Sequence, residues 1–253
     1  MLDSFSIFRR SDGSTIMEYA ILAPVLMLLL IGTLEFSLIM YASAVLDGAT
    51  AAAARMAKTG YNSNSVSGIP LWTSNTNYTV GTMINNGGSV YICTGAGKSA
   101  ASGGPTGTST SGITDGTATW AFACDSSTQS RSAYIQCYLA QHVQGLMNPS
   151  SITIATKSYA TFNEINQPEP YTDVGGLGHY VTGDPYTDVN GNGQWDSDMG
   201  TIGLGGPGDI VVYTASYPWP IYTPLIQQFF GNNGTVAISA SSVVKNEPYT
   251  VSR

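Results

Sequence analysis

A long, mainly apolar stretch lies near the start of the chain, from Tyr19 to Tyr41, with AILAPVLMLLLIGTLEFSLIM inside it. A helix needs about 20 such residues to cross the hydrocarbon core of a bilayer, so the stretch predicts a membrane helix. The alanine-rich segment from Ala42 to Lys58 contains no proline and continues the helical pattern. We therefore expect a single helix from Ser14 to Thr59, whose outer half packs on protein.

The second half of the chain alternates between helical and strand-like patterns. Ser132 to Met147 is amphipathic and ends before Pro149. Its apolar face contains Ile135, Leu139, Val143 and Leu146. Three later segments have the composition and alternation of strands, namely Ser151 to Phe162, Gly208 to Tyr213 and Thr235 to Val251. The expected fold class is α+β, with a helix on a small antiparallel sheet after the long N-terminal helix.

A segment of different composition, Tyr61 to Asp125, lies between these two parts. It is rich in Gly, Ser and Thr and has only three charged residues, Lys98, Asp115 and Asp125. Tyr78 to Val80 and Ser89 to Cys93 resemble strands joined by a turn at Asn85 to Gly88, and Thr117 to Ala123 resembles a third. We interpret the segment as an inserted small all-β module, and disorder is the alternative that its composition leaves open.

Charge limits the classes of partner. Only 10% of the 253 residues are charged, against roughly 25% in ordinary soluble domains. The net charge is −7, and the nine Lys and Arg residues form no basic patch, which argues against nucleic acid as a partner. Half of the 16 acidic residues lie between Glu164 and Asp209, where there is no Lys or Arg. That stretch needs counter-ions.

The start of the apolar stretch contains a processing motif. The run Gly13-Ser14-Thr15-Ile16-Met17-Glu18-Tyr19 resembles the type IV prepilin signal, in the Glu-Tyr variant of Flp pilins and Tad pseudopilins. The resemblance implies that a prepilin peptidase cuts between Gly13 and Ser14. Glu18 then becomes the fifth residue of the mature chain, where pilins keep a glutamate for assembly. A carboxylate that reaches out from the membrane edge to water is the alternative explanation of Glu18.

A second carboxylate, Glu35, lies deep in the apolar stretch, where an ionisable residue indicates a function or a helix partner. The segment Gly13 to Ala57 resembles the TadE-like family, whose members carry Glu-Phe at this point. The resemblance resumes after Ser130 and includes the ending Asn246-Glu247-Pro248-Tyr249. It implies a structural pseudopilin or minor pilin of a Tad-type (type IVc) pilus assembly and secretion system, with Glu18, Tyr19 and Glu35 involved in assembly.

This resemblance also implies partners and a location. The partners are the prepilin peptidase, other Tad pilins and pseudopilins, and the pilus assembly platform of the bacterial inner membrane. Arg9 and Arg10 precede the apolar stretch, which favours a cytoplasmic N-terminus and a periplasmic C-terminal region. Incorporation into the pilus, or at its tip, stays open. The expected domain boundaries are a leader at 1–13, a transmembrane and extended helix at 14–60, the module at 61–125 and a pilin-like head at 126–253.

The acidic region contains an internal duplication. Glu169-Pro-Tyr-Thr-Asp173-Val recurs fifteen residues later as Asp184-Pro-Tyr-Thr-Asp188-Val. The second copy continues with oxygen-bearing side chains at positions one, three, five and nine of an EF-hand-like loop, which is a pattern that binds calcium. These are Asp188, Asn190, Asn192 and Asp196, with Gly193 at position six and the Gln194 carbonyl at position seven.

This loop departs from the EF-hand at position twelve, where Met199 replaces the usual glutamate. Asp198 or Asp184 would have to complete the calcium shell. The first copy has glycines and a leucine where ligands should be, so it is either degenerate or a partner strand. A solvated turn without metal is the alternative for the second copy.

The module has aromatic residues in an order that resembles the small modules of chitinases and phage tail proteins, which bind polysaccharide or act as spacers. Exposed rings of Trp72, Tyr91 or Trp120 could stack on sugar rings. In so small a module the same aromatics can equally form the core. This pattern gives the alternative function, a membrane-anchored carbohydrate-binding adhesin.

The three cysteines allow one disulfide. We favour Cys93 with Cys124, because both flank strand-like segments. Cys124 with Cys137 stays open, as do three free thiols. Only two histidines are present, His142 and His179, and no nucleophile, metalloprotease or phosphate-loop motif accompanies them, so we expect no enzymatic activity.

Overall fold

The computed structural model describes residues 12–58, 69–125, 131–143, 145–228 and 234–248, with the backbone alone for residues 12–16 and 225. The leader before Asp12, the expected domain boundaries near residues 60 and 126, and Tyr249 of the family-like ending lie outside the described residues. By contacts the chain forms two compact units. One comprises residues 1–41 and 219–236, and the other residues 42–218 and 237–253.

The first helix, α1, runs from Asp12 to Ala57 and confirms the predicted long N-terminal helix. Its 46 residues correspond to about 69 Å at 1.5 Å per residue. Pro24 lies inside it. From Met17 the helix is long and apolar enough to cross a membrane by length and composition, and apolar side chains such as Leu26 are exposed on the isolated chain.

The alanine-rich end of α1 is part of a protein core. Ala53, Ala54 and Ala57 are buried and pack with Val211 and Tyr213 of the head. Because alanine has only a methyl group, the helix backbone can approach this partner surface closely. The composition of α1 therefore changes from large apolar residues to small ones where its surroundings change.

The head contains a four-stranded sheet in the order β10-β9-β7-β8. Its strands are β7 (Thr153–Tyr159), β8 (Thr201–Ile202), β9 (Ile210–Pro220) and β10 (Thr235–Lys245). Strand β7 pairs antiparallel with both β8 and β9. A second helix, α2, spans Arg131–Val143, and its Ile135 joins the same core as the end of α1. Helices and antiparallel strands together give the expected α+β class.

Short elements complete the head. Two 3-10 turns occupy Pro149–Ser151 and Phe162–Glu164, and a single-turn helix, α3, occupies Pro224–Gln227. Helix α2 ends at Val143, four residues earlier than predicted. Gly145 follows with a φ of +85°, a left-handed conformation that ends helices and that glycine adopts without strain.

The predicted inserted module contains only short strands in its described residues, with β2, β3, β6 and β5 forming one sheet in that order and β1 pairing with β4. The strands are β1 (Asn77–Tyr78), β2 (Met83–Asn86), β3 (Ser89–Gly95), β4 (Gly97–Lys98), β5 (Ile113–Asp115) and β6 (Ala118–Asp125). The predicted hairpin exists, but its first strand is β2, and not Tyr78 to Val80. Gly87 and Gly88 form the turn, both with positive φ.

The two faces of this sheet contact different partners. One face forms a core within the module that includes Ile84, Tyr91 and Trp120. The other face, with Val90 and Ala123 among its residues, packs on Cys137 and Ala140 of α2. The module and α2 therefore share apolar packing. Removing the module would expose this surface of α2.

The disulfide joins Cys124 of β6 to Cys137 of α2, with Cα atoms 5.3 Å apart, so the favoured pairing of Cys93 with Cys124 is wrong. Cys93 is opposite Trp120 in the strand register, whereas Cys124 is opposite Val90. The two cysteines also belong to the cores on opposite faces of the sheet. Flanking strands are thus a poor guide, because pairing depends on the face that each side chain occupies. Cys93 is a buried free thiol, and burial raises its pKa.

We predict that Cys137→Ser lowers the free energy of unfolding by about 3 kcal/mol, as expected for a crosslink that closes a short loop. Peptide mapping without reductant should recover Cys124 linked to Cys137. Cys93→Ala is the matched control, since it removes a cysteine without touching the bond. Reductant should lower the melting temperature of the wild type and of Cys93→Ala, and should leave Cys137→Ser unchanged. A mapped Cys93–Cys124 peptide would contradict the assignment.

Candidate functional site

The predicted processing and assembly residues lie at the N-terminal end of α1. Gly13 and Ser14 fall in its first turn, and Glu18 and Tyr19 follow on an exposed part of the helix. Tyr19 is 69% exposed in the isolated chain. Most large apolar side chains from here to Tyr41 are exposed in the isolated chain, and they form the surface that a bilayer or neighbouring helices would occupy.

Glu35 has a hydrogen-bond partner within its own chain. The carboxylate is only 7% exposed, and its Oε1 accepts a hydrogen bond from the backbone N–H of Tyr222 at 2.6 Å. Oε2 is buried and has no hydrogen-bond partner among the described residues. Sequence analysis expected a function or a helix partner for this carboxylate, whereas the partner is a backbone N–H that lies 187 residues away in the chain. Such a distance leaves no local signal, and the assembly role of Glu35 stays a prediction.

The duplicated acidic segments pair with each other. Thr172 N donates to the Pro185 carbonyl at 2.8 Å, and Thr187 N donates to the Pro170 carbonyl at 2.9 Å. Tyr171 and Tyr186, which occupy the same place in the two copies, form the antiparallel bridge between them. The first copy is therefore a pairing partner of the second, as one of the two open interpretations proposed.

Each copy begins with a carboxylate that holds the loop of the other copy. Glu169 accepts hydrogen bonds from the N–H groups of Val189 at 2.7 Å and Asp196 at 3.0 Å. Asp184 accepts them from Val174 at 3.4 Å and Val181 at 3.0 Å. In both copies the two N–H donors belong to the residues one and eight positions after the loop aspartate, which is Asp173 in the first copy and Asp188 in the second. Each copy thus supplies the carboxylate that binds the loop of the other copy, and the two copies are related by an approximate local two-fold symmetry.

Aromatic rings fill the space between the paired copies. Tyr180 and Trp195 occupy equivalent positions and stack with ring centroids 4.3 Å apart and planes at 11°. Tyr171 and Tyr186 each place a ring edge against this stack. The stack gives the region an apolar centre in place of a larger hydrophobic core.

The predicted calcium ligands lie together in the second loop. Asp188 accepts hydrogen bonds from three successive N–H groups, those of Gly191, Asn192 and Gly193. Asp196 Oδ2 accepts from the side-chain amides of Asn190 at 2.7 Å and Asn192 at 2.6 Å. Gly191 and Gly193 have φ near +76°, which tightens the loop at no steric cost.

The donor set suits a hard cation only in part. Two carboxylates and two amides supply oxygens of the kind that calcium prefers, but calcium takes six to eight of them. Among the described residues, no group of three or more His, Cys, Asp and Glu side chains is arranged to hold a metal ion. Gln194 contributes its backbone N–H to Asn192 Oδ1 at 2.8 Å.

Asp198 and Asp184, which were expected to complete the calcium shell, bind other protein groups. Asp198 Oδ2 is 2.6 Å from Lys157 Nζ, and the Tyr159 hydroxyl donates to both carboxylate oxygens. Burial opposes ionisation of Asp198, but these bonds outweigh it and hold its pKa below the usual value. Burial and the neighbouring Asp198 raise the pKa of Tyr159 to about 12. Asp198 is thus neutralised by a lysine, and Asp184 holds the first loop.

A cleft unites these groups. It is lined by Lys157, Asn190, Asn192, Asp196, Asp198, Gly200, Thr201 and Ile202. Gly200 is one of the lining residues, and a β-carbon added there would come within 2.6 Å of the Tyr159 ring, so glycine is the residue that fits. Sequence analysis missed Lys157 and Tyr159, which lie about forty residues before Asp198.

The candidate sugar-binding aromatics are mostly internal. Tyr91 is 2% exposed and Trp120 is fully buried, so neither ring can stack on a sugar, and that part of the prediction is wrong. Trp72 is half-buried, and its Nε1–H donates to Asp115 at 2.7 Å. The aromatic order of the module therefore reflects its core.

Comparison with known proteins bears on the N-terminal helix. Residues 13–55 match the family model described as TadE-like protein. This match covers most of α1 and supports the resemblance drawn from Gly13, Glu18 and Glu35. Neither the curated proteins nor the solved structures contain a match to the chain.

Sequence analysis passed over the role of Glu169 in holding the second loop, although its place in the repeat, equivalent to Asp184, could have indicated it. It is fully buried.

We predict that Glu169→Ala lowers the melting temperature more than Asp184→Ala. The first change removes the acceptor of three N–H groups, including that of Asn190. Each buried N–H left without an acceptor lowers the free energy of unfolding by about 1–3 kcal/mol. Water can replace the half-buried Asp184. Thermal melts of the two variants in detergent micelles test this, and equal losses would contradict it.

Proposed function

We propose that this chain is a structural pseudopilin or minor pilin of a Tad-type pilus assembly and secretion system. The observation that carries the proposal is the match of residues 13–55 to the TadE-like family. It coincides with a helix that begins at Asp12 and leaves most of its large apolar side chains between Met17 and Tyr41 exposed in the described chain. A subunit assembled through its N-terminal helix needs such a surface.

The proposed maturation step is cleavage between Gly13 and Ser14 by a prepilin peptidase. It would place Glu18 fifth in the mature chain, with Tyr19 beside it, ready to contact a neighbouring pilin. The apolar part of α1 would anchor the chain in the bacterial inner membrane, with a cytoplasmic N-terminus and a periplasmic head. Other Tad pilins and pseudopilins and the inner-membrane assembly platform are the proposed partners, and we propose no catalytic activity.

A carbohydrate-binding adhesin is the weaker proposal. Of its three candidate aromatics, Tyr91 and Trp120 are in the core of the module. Trp72 alone retains partial exposure. The module is better explained as a structural part of the head, because one face of its sheet packs on α2.

We also propose that the second acidic loop binds calcium through Asp188, Asn190, Asn192 and Asp196. The convergence of their side chains supports this proposal. The two side-chain amides now donate to Asp196, so binding a cation there would require them to turn their oxygens toward it. Because Asp198 is paired with Lys157, the remaining ligands would be backbone carbonyls and water, and the affinity should be that of a weak extracellular site.

Maturation is tested by the N-terminus of the protein from the membrane fraction. We predict that intact-mass analysis finds Ser14 as the first residue, and that Gly13→Val blocks the cleavage. Gly48→Val is the matched control, since Gly48 lies in the same helix with open space around it. A mature chain that starts at Met1, or equal processing of both variants, would overturn the pilin assignment.

Calcium binding is tested with the metal alone, added to the full chain in detergent micelles. We predict that calcium raises the melting temperature of the wild type, because it binds the folded state only. Asp188→Ala should abolish the increase. Asp173→Ala is the control, because Asp173 holds the equivalent turn through Leu177 and Gly178 but its loop lacks oxygen side chains at the next positions. An equal shift in Asp188→Ala would leave the loop as a turn without metal.

A further inference from the structure

A second apolar segment packs beside the apolar part of α1. It comprises residues 219–228, which include the last two residues of β9 and all of α3. The chain has no Asp, Glu, Lys or Arg between Asp209 and Lys245, an interval in which this segment lies. Both the segment and residues 1–41 belong to the same compact unit.

The contacts place the segment within the predicted membrane stretch. Tyr222 N donates to Glu35 Oε1 at 2.6 Å. A β-carbon added at Gly32 would lie 4.0 Å from Ile226 Cδ1, so the Ile226 side chain lies over that glycine. From Gly32 to Tyr41 the helix rises about 14 Å at 1.5 Å per residue. The segment therefore lies beside the C-terminal turns of the apolar stretch.

Several backbone N–H groups of the segment are hydrogen-bonded to other protein atoms. Ile221 N donates to the Gly234 carbonyl at 2.8 Å, and the N–H groups of Ile226 and Gln227 both donate to the Thr223 carbonyl at 3.0 Å. Pro220 and Pro224 have no N–H to satisfy. With Tyr222 bonded to Glu35, these donors need no water, which is the condition for backbone next to lipid.

The side chains have the character of a membrane interface. Trp219 and Tyr222 contact each other with centroids 6.3 Å apart. Trp219 is buried, whereas Tyr222 is 66% exposed, so Tyr222 is the ring of this pair that can face lipid. Tyrosine and tryptophan concentrate where lipid headgroups meet acyl chains. Gln227 and Gln228, both exposed, can reach the headgroups.

We propose that residues 219–228 form a second membrane-associated element, which lies in the outer headgroup–acyl boundary of the bilayer and is fastened to α1 by Glu35. The partner is the lipid surface. An interfacial element of this kind inserts about 5–10 Å, and Glu35, which binds Tyr222, lies about 9 Å below Tyr41 at 1.5 Å per residue. The proposal rests on membrane anchoring by α1, and it assigns Glu35 to the fastening of this element.

The test uses the full chain in phosphatidylcholine–phosphatidylglycerol vesicles with one nitroxide label at a time. The label is placed on Tyr222→Cys, on Leu26→Cys within the span, or on Val174→Cys in the acidic loops, three positions that are all well exposed. Because Cys93 is buried and the other two cysteines are bonded, the unsubstituted chain gives the labelling background. Electron paramagnetic resonance then measures access of oxygen and of a water-soluble nickel chelate to each label.

We expect the label at residue 222 to lose access to the nickel chelate severalfold relative to residue 174, and to approach residue 26. Full access at 222 with protection at 26 would overturn the proposal and leave the anchor intact. Access at both 222 and 26 would refute the anchor itself. Protection at 222 that disappears when the lipid-to-protein ratio is raised would identify a second copy of the chain as the cover, and would also overturn the proposal.

Glu35 variants test the fastening. Glu35→Leu removes the acceptor for Tyr222 N and should restore chelate access at residue 222 severalfold, while Glu35→Gln keeps an oxygen acceptor and should leave access unchanged. Residue 26 should stay protected in both variants, which shows that insertion is intact. Unchanged access at 222 in Glu35→Leu would refute the role of Glu35.

Discussion

The packing of α1 on the head sheet depends on side-chain size. At Ala53, Ala54 and Ala57 the helix presents only methyl groups to Val211 and Tyr213, which lets helix and sheet come into close contact. Larger side chains at these positions would separate the layers and displace Ile135 of α2 from the same core. Nearer the N-terminus, α1 carries large apolar residues that no described residue covers. One helix therefore serves two environments through a change of side-chain volume along its length.

The local sequence pattern was enough to predict the helices and strands, whereas the contacts of the site residues depend on parts of the chain that are distant in sequence. The length of the apolar stretch and the alanine run gave α1 to within two residues at either end, because helix formation responds to local composition. The Cys124 partner, the Asp198 partner and the Glu35 partner were not accessible in the same way. Each depends on which face of an element meets another element distant in sequence. Spacing along one chain segment carries no information about that.

The paired acidic loops show how a duplication can become interdependent. In the first loop, Asp184 occupies position twelve and supplies the carboxylate that bonds positions two and nine. In the second loop that position is Met199, and Glu169 from the start of the first copy makes the equivalent bonds. Neither loop is complete without the other copy. This explains why Glu169 is buried, although nothing in its immediate neighbours predicts burial.

The bond between Cys124 and Cys137 has a mechanical consequence. It connects the last strand of the β module to a helix that shares its core with α1. A pulling force on the module is therefore carried to α2 through a covalent link, and the apolar contacts between β6 and α2 do not have to resist it. Apolar contacts can be peeled apart one residue at a time, whereas the crosslink holds the two surfaces in register under load. The module is in this sense a rigidly mounted part of the head.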